Sequence, residues 1–166
     1  MCIIGRNGCG KTTLLRKIAE EMLERKDIKV SYMPQNYGDL LNFDLTPVEY
    51  LSEVGDKDEI SKIRTYLGSM KYTPDEMLHK IEDLSGGQKA KLLLLKMSMS
   101  GSNVLILDEP TRNFSPLSGP VIRNMLQGFG GAILTVSHDR KYIKEVADVV
   151  YELTENGLKL FEGELL

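Results

Sequence analysis

The sequence has no excess of basic residues: 21 lysines and arginines face 24 aspartates and glutamates, for a net charge of −3 and a pI near 5.5. A domain with that balance lacks the positive footprint of a nucleic-acid binder, so direct DNA binding is not expected. Nor is there any stretch near the ~18 apolar residues that a membrane-spanning helix needs. Met1-Cys2-Ile3-Ile4-Gly5 at the start has no basic leader ahead of an apolar run, which argues against a signal peptide. Cysteine is scarce: Cys2 and Cys9 are the only two. Two cysteines exclude a disulfide-stapled scaffold and suit a reducing compartment, so a cytoplasmic location is expected. Internal repeats, low-complexity segments and linkers are also missing. The 166 residues (42% hydrophobic, 27% charged) are in the range of one globular domain spanning 1–166.

Apolar periodicity alternates between strand and helix, which predicts an α/β fold with a mainly parallel sheet flanked by helices. Cys2 to Ile4 is a short apolar stub that enters a glycine-rich turn. Leu14, Leu15, Ile18 and Met22 recur at helical spacing, and Ile28, Val30 and Tyr32 alternate as a strand closed by Pro34. The stretch from about 40 to 100 reads as an inserted helical subdomain. Thr46-Pro47-Val48-Glu49 is a capping box with proline at the first helical position, with Leu45 and Tyr50 as its hydrophobic staple. Gly55 is expected to end that helix, and Gly68 to follow a second one over Asp58 to Leu67. Thr73, with Pro74 next and Glu76 three residues on, predicts a third helix. Leu92-Leu93-Leu94-Leu95 puts leucine on every side of a helix from Ser85 to about Ser100, which should therefore be buried on most faces. Val104 to Leu107 has the continuous apolar character of a central parallel strand. A helix near Pro120 to Gln127, a strand Ala132 to Val136 and a helix near Arg140 to Ala147 follow. Asn156-Gly157 then joins two tail strands as a hairpin.

Three motifs carry chemistry. Gly5-Arg6-Asn7-Gly8-Cys9-Gly10-Lys11-Thr12, followed by Thr13, matches G-x-x-x-x-G-K-S/T. Its glycines let successive N–H groups turn inward around a phosphate chain at the positive end of a helix. Lys11 would reach the β- and γ-phosphates, and the Thr12 hydroxyl would ligate Mg²⁺. Val104 to Leu107 delivers Asp108 and Glu109 at its C-terminal end, where open α/β sheets bind ligands. Asp108 would hold Mg²⁺ through its water shell, and Glu109 would polarise the attacking water. Leu84-Ser85-Gly86-Gly87-Gln88 opens a further helix with an N–H-rich end suited to a γ-phosphate. A GTPase is a poor alternative, because no N/T-K-x-D guanine-reading motif occurs. A small-molecule kinase would not need Leu84 to Gln88.

With that third motif the sequence resembles the ATP-binding-cassette (ABC) ATPases, whose signature is LSGGQ, and the resemblance covers essentially the whole chain. It implies a P-loop NTPase fold, with ATP and Mg²⁺ as ligands. It implies that Gln35, just past a strand and Pro34, is a Mg²⁺ and water ligand, and that His138 reaches toward the γ-phosphate. It also implies a composite site, in which Ser85 and Gly87 of one cassette face Lys11, Asp108 and Glu109 of another. The run Ser85-Gly86-Gly87-Gln88-Lys89-Ala90-Lys91 and the 50-residue step from Gln35 to Ser85 look like the ABC-F branch. Those proteins carry two cassettes in one chain, and many act on the ribosome, some in antibiotic resistance. The alternatives are the energy-coupling subunit of a membrane transporter, which meets the membrane through a permease, and a non-catalytic nucleotide-binding module.

The resemblance departs at two places. After Pro110, the segment Thr111-Arg112-Asn113-Phe114-Ser115-Pro116 has serine where the family usually has aspartate. Only four residues precede Gly5, and no aromatic residue precedes Tyr32 to stack on adenine. The expectation is a cassette without its N-terminal β-region, as a fragment or a truncated gene product.

Overall fold

The computed structural model describes residues 1–112, 114–116 and 118–163. Asn113, in the segment that departs from the family pattern, lies outside them. Six strands form one sheet in the order β2-β3-β4-β1-β5-β6. They are β1 (Cys2–Ile4), β2 (Val30–Met33), β3 (Val104–Asp108), β4 (Ala132–Val136), β5 (Val150–Thr154) and β6 (Gly157–Leu160). All neighbouring pairs are parallel except β5 and β6, the hairpin turned at Asn156-Gly157.

Both faces of the sheet are covered, and β3 shows how its sequence supplies each. Successive side chains of a strand point to opposite faces. Ile106 packs with Leu15 and Ala19 of α1 (Lys11–Leu23), whereas Leu105 and Leu107 join the larger core on the other face. That larger core includes residues of α4 (Gly86–Met99), α5 (Gly119–Gln127) and α6 (Arg140–Val146). Leu92 to Leu95 are all buried, as four consecutive leucines on a helix require.

Between β2 and β3 the chain forms α2 (Pro47–Leu51), α3 (Lys57–Ser69) and α4, with short 3₁₀ turns at Gly38–Leu40 and Ile81–Asp83. The Thr46–Glu49 capping box is present with Pro47 in the first turn, and Leu45 and Tyr50 both pack against the main core. Three expectations need correction. First, α2 stops at Leu51 rather than running to Gly55, because Glu59 captures the following loop. Its carboxylate accepts from the Ser52 hydroxyl and from the amides of Glu53, Val54 and Gly55. The Ser52 hydroxyl and those amides hold the Glu59 pKa down to about 2. Second, Gly68 lies inside the last turn of α3, which continues to Ser69.

Third, no helix follows Thr73. Both capping-box bonds form there, from the Thr73 amide to Glu76 Oε2 (2.8 Å) and from the Glu76 amide to Thr73 Oγ1 (3.3 Å), but only turns follow. Helix nucleation is unfavourable and has to be repaid by propagation or packing. Here Met77 alone is buried while Leu78 is 63% exposed, and by Ile81 the chain must already donate to the Leu45 carbonyl. No apolar stripe is left to repay it.

Candidate nucleotide site

β1 ends at Ile4, and the glycine loop turns straight into α1. Gly8 and Gly10 have φ of 79° and 98°, in the left-handed region that L side chains avoid. Gly5 has no room for a side chain: a Cβ there would sit 2.8 Å from the Leu153 carbonyl oxygen. Gly10 is the N-cap of α1 and provides no side-chain cap, and the first turn has no acidic residue. The amides at this helix start are therefore left for an external acceptor. Lys11 is buried and folds back over the loop, donating to the Gly5 and Arg6 carbonyls at 2.9 and 2.8 Å.

β3 brings the carboxylates to the same edge. Asp108 is 1% exposed. One of its oxygens accepts from the Thr12 hydroxyl at 3.3 Å, and the other, Oδ2, is buried without a hydrogen-bond partner. Burial pushes the Asp108 pKa above the usual carboxylate range, opposed by the Thr12 hydroxyl and the Lys11 charge. The strand ladder extends one step further, from the Glu109 amide to the Val136 carbonyl at 2.9 Å, and Glu109 then turns with φ 51°. That turn brings Glu109 to His138, just past β4. Glu109 Oε2 accepts from the His138 amide at 3.3 Å, and Oε1 lies 3.5 Å from Nε2. Burial raises the Glu109 pKa, and the neighbouring His138 counters it.

These elements enclose one open cavity of about 710 Å³. Asn7, Gly8, Gly10, Lys11, Thr12, Thr13, Gln35, Glu109 and His138 line it together, so residues scattered from 7 to 138 share one space. An orphaned carboxylate oxygen beside a hydroxyl is an all-oxygen donor set, and it fits Mg²⁺. Among the described residues no group of three or more His, Cys, Asp or Glu could hold a metal alone. Mg²⁺ commonly takes one or two protein oxygens and fills its octahedron with water and substrate phosphates.

A family model described as ABC transporter matches residues 1–112. The chain belongs to the ABC ATPase family. Its members are ATP-hydrolysing P-loop enzymes, and this cassette is 33% identical to ABC transporter F family member 2 of Arabidopsis thaliana over 99% of its length. It is also 33% identical to the putative ATP-binding protein YdiF of Bacillus subtilis over 98%. It spans about a quarter of each of those proteins (25% and 26%). A solved dimeric ATP-binding cassette in a post-hydrolysis state, bound to ADP and Pi, shares the fold. The TM-score is 0.75 at 18% identity, covering 98% of this chain and 85% of that one.

Five sequence-predicted residues do not line the cavity: Gly5 and Asp108, described above, and Cys9, Ser85 and Gly87. Ser85 and Gly87 form the exposed or half-buried start of α4, where Ser85 and Gln88 make a capping box and the Tyr37 hydroxyl donates to the Gly86 carbonyl at 3.2 Å. The Cys9 side chain faces a different cavity, shared with Arg6 and the β5–β6 turn residues Leu153 to Asn156. Conversely, Thr111, Arg112 and Asp139 line the nucleotide cavity although no motif singled them out as ligands. Their proximity to Glu109 and His138 in the sequence was the available signal. Among the described residues no helix is long and apolar enough to cross a membrane.

Proposed function

We propose that this cassette binds Mg-ATP and hydrolyses it as one half of a head-to-tail pair, in a cytoplasmic ABC-F-type protein acting in translation or ribosome-associated antibiotic resistance. Residues 1–166 would be one nucleotide-binding domain, with the helical subdomain at about 40–100 inserted in its ATP-binding core. The observation that carries the reading is the meeting of Lys11, Thr12, Gln35, Glu109 and His138 in one cavity, with the orphaned oxygen of Asp108 beneath Thr12. The ABC-F assignment is supported by similarity along 99% of this chain to a quarter of an Arabidopsis F-family member.

The chemistry follows from the chain's own groups. The loop amides and Lys11 hold the phosphate chain, with Lys11 giving up its carbonyl contacts on Gly5 and Arg6 to do so. Thr12, Asp108 and Gln35 would hold Mg²⁺, which when bound neutralises phosphate charge and orients the leaving group. Glu109 accepts a proton from the attacking water, and His138 steadies its carboxylate. The exposed start of α4, outside its own chain's cavity, supports pairing: its positive end is free to close a second cassette's site.

The test is phosphate release with Mg-ATP. Glu109→Gln is expected to keep nucleotide binding and slow single-turnover hydrolysis by about 10²- to 10⁴-fold. Unchanged hydrolysis would remove Glu109 from its role. For the wider reading, the protein should co-sediment with ribosomes in the presence of ATP. Co-purification with a membrane permease instead would favour the transporter branch.

A further inference from the structure

Arg112 is a cationic residue of the cavity wall that the site described above does not use. It stands in the turn just beyond Glu109, its amide donating to the Glu109 carbonyl at 3.1 Å, so its backbone is fixed relative to the general base. Its side chain is exposed, and among the described residues it makes no hydrogen bond or ion pair. Lys11 differs, being folded onto two carbonyls.

The nearby carboxylates form no ion pair with the guanidinium, and each has at least one oxygen engaged by another group. Asp108 accepts from Thr12, Glu109 meets His138, and Asp139 caps α6 by accepting from the amides of Lys141 and Tyr142. A phosphate entering beside these acidic groups needs compensating charge. A planar guanidinium with five donors suits phosphate oxygens in a two-point contact.

We propose that the Arg112 guanidinium binds the terminal phosphate of a nucleoside triphosphate, as a second cation beside Lys11, and gives the cassette preference for triphosphate over diphosphate. The inference rests on the nucleotide-site reading above. The direction follows from position. The glycine loop and α1 start would hold the inner phosphates, whereas Arg112 lines the same cavity in the turn just past Glu109, which itself meets His138, and the attacked phosphorus would lie beside that base. A diphosphate leaves that position without an anion, so the guanidinium contributes little to its binding.

The experiment is calorimetric titration of the whole chain, in Mg²⁺ at one fixed salt concentration, with a non-hydrolysable ATP analogue and separately with ADP. Arg112→Ala is expected to weaken the triphosphate analogue about tenfold and ADP less than about twofold, as loss of one exposed charge-assisted contact predicts. Arg112→Lys should recover part of the loss, because it keeps the charge without the fork. Retained ADP affinity shows that the variants are folded. A wild-type chain that binds both nucleotides, with a triphosphate-to-diphosphate ratio unmoved by Arg112→Ala, would overturn this inference alone. A wild-type chain that binds neither would overturn the nucleotide-site reading, and this inference with it.

Discussion

Glu109 and His138 meet through both carboxylate oxygens, one accepting from the His138 amide at 3.3 Å and the other 3.5 Å from the ring Nε2. The pairing fixes the direction of the pH response. Burial holds the Glu109 pKa above its ordinary value, and His138 pulls it partly back. A base works only when ionised, so turnover should fall as pH drops through that raised value, on an acid limb above the ~4.3 of a free glutamate. His138→Ala removes the opposing influence and should move the limb to higher pH, besides lowering the rate. A pH–rate profile whose acid limb stays in place in the variant would detach His138 from Glu109.

Asp108 links function to a cost in stability. Its carboxyl is buried with one unpartnered oxygen, and its folded pKa lies above the unfolded one, chiefly through burial. The folded state therefore binds that proton more tightly, so the group's opposition to folding sets in as pH rises above the unfolded pKa, is complete above the folded pKa, and vanishes below the unfolded one. Asp108→Asn should then stabilise the chain at pH 7 by about 1 kcal/mol, seen as a Tm roughly 2–4 °C higher. The gain should shrink in acid, and Mg²⁺-dependent nucleotide affinity should be lost. A variant melting at or below the wild-type temperature at pH 7 would contradict this account.

These two carboxylates were legible in the sequence because their position is set by local rules: an apolar strand, then its C-terminal end. The same holds for Gly5 to Thr12, where glycine spacing encodes backbone shape, and for the Thr46 cap, whose bonds span three residues. Features decided by long-range partners were not legible. The cap at Thr73 forms yet nucleates nothing, since its fate depends on Ile81 reaching Leu45 across the chain. Gly55 does not end α2 because Glu59, on the next helix, gathers the loop. Arg112 reaches the cavity through the turn just past Glu109, but the motif ending in Asp108 and Glu109 says nothing of where the following side chains go.

The two cysteines should report on the loop differently from what its motif alone implies. Position within the phosphate loop suggests that bound ATP would shield Cys9 from alkylation. Its thiol instead faces the cavity beside Leu153 and Thr154, and it is exposed. Cys2 is buried in β1, and burial pushes its pKa up to about 11. Maleimide labelling at pH 7 should modify Cys9 at least about a hundredfold faster than Cys2, since only accessible thiolate reacts. Saturating Mg-ATP should change the Cys9 rate less than about twofold. Strong protection by ATP would mean that the loop reorients when nucleotide binds.

Pairing of cassettes can be tested by mixing two inactive chains. Ser85 and Gly87 begin α4 outside the cavity formed by Lys11 and Glu109 of the same chain. In a head-to-tail pair each site takes its phosphate loop from one copy and its α4 start from the other. Lys11→Ala removes the loop cation and should abolish ATP binding, as charge-assisted contacts to phosphate are the strong ones. Ser85→Glu places a carboxylate against the terminal phosphate across the interface, and losing the cap costs about 1 kcal/mol, which a chain of ordinary stability survives. Each variant alone should release almost no phosphate. In an equimolar mixture, random pairing makes half the pairs mixed, and each mixed pair has one site with both Lys11 and Ser85 intact. Activity should therefore return to about a quarter of the wild-type value and rise with protein concentration. If each site were complete within one chain, the mixture would show only the summed activity of its components at every concentration, with no gain from mixing. Ser85→Glu alone would then hydrolyse ATP normally, since its own cavity is untouched.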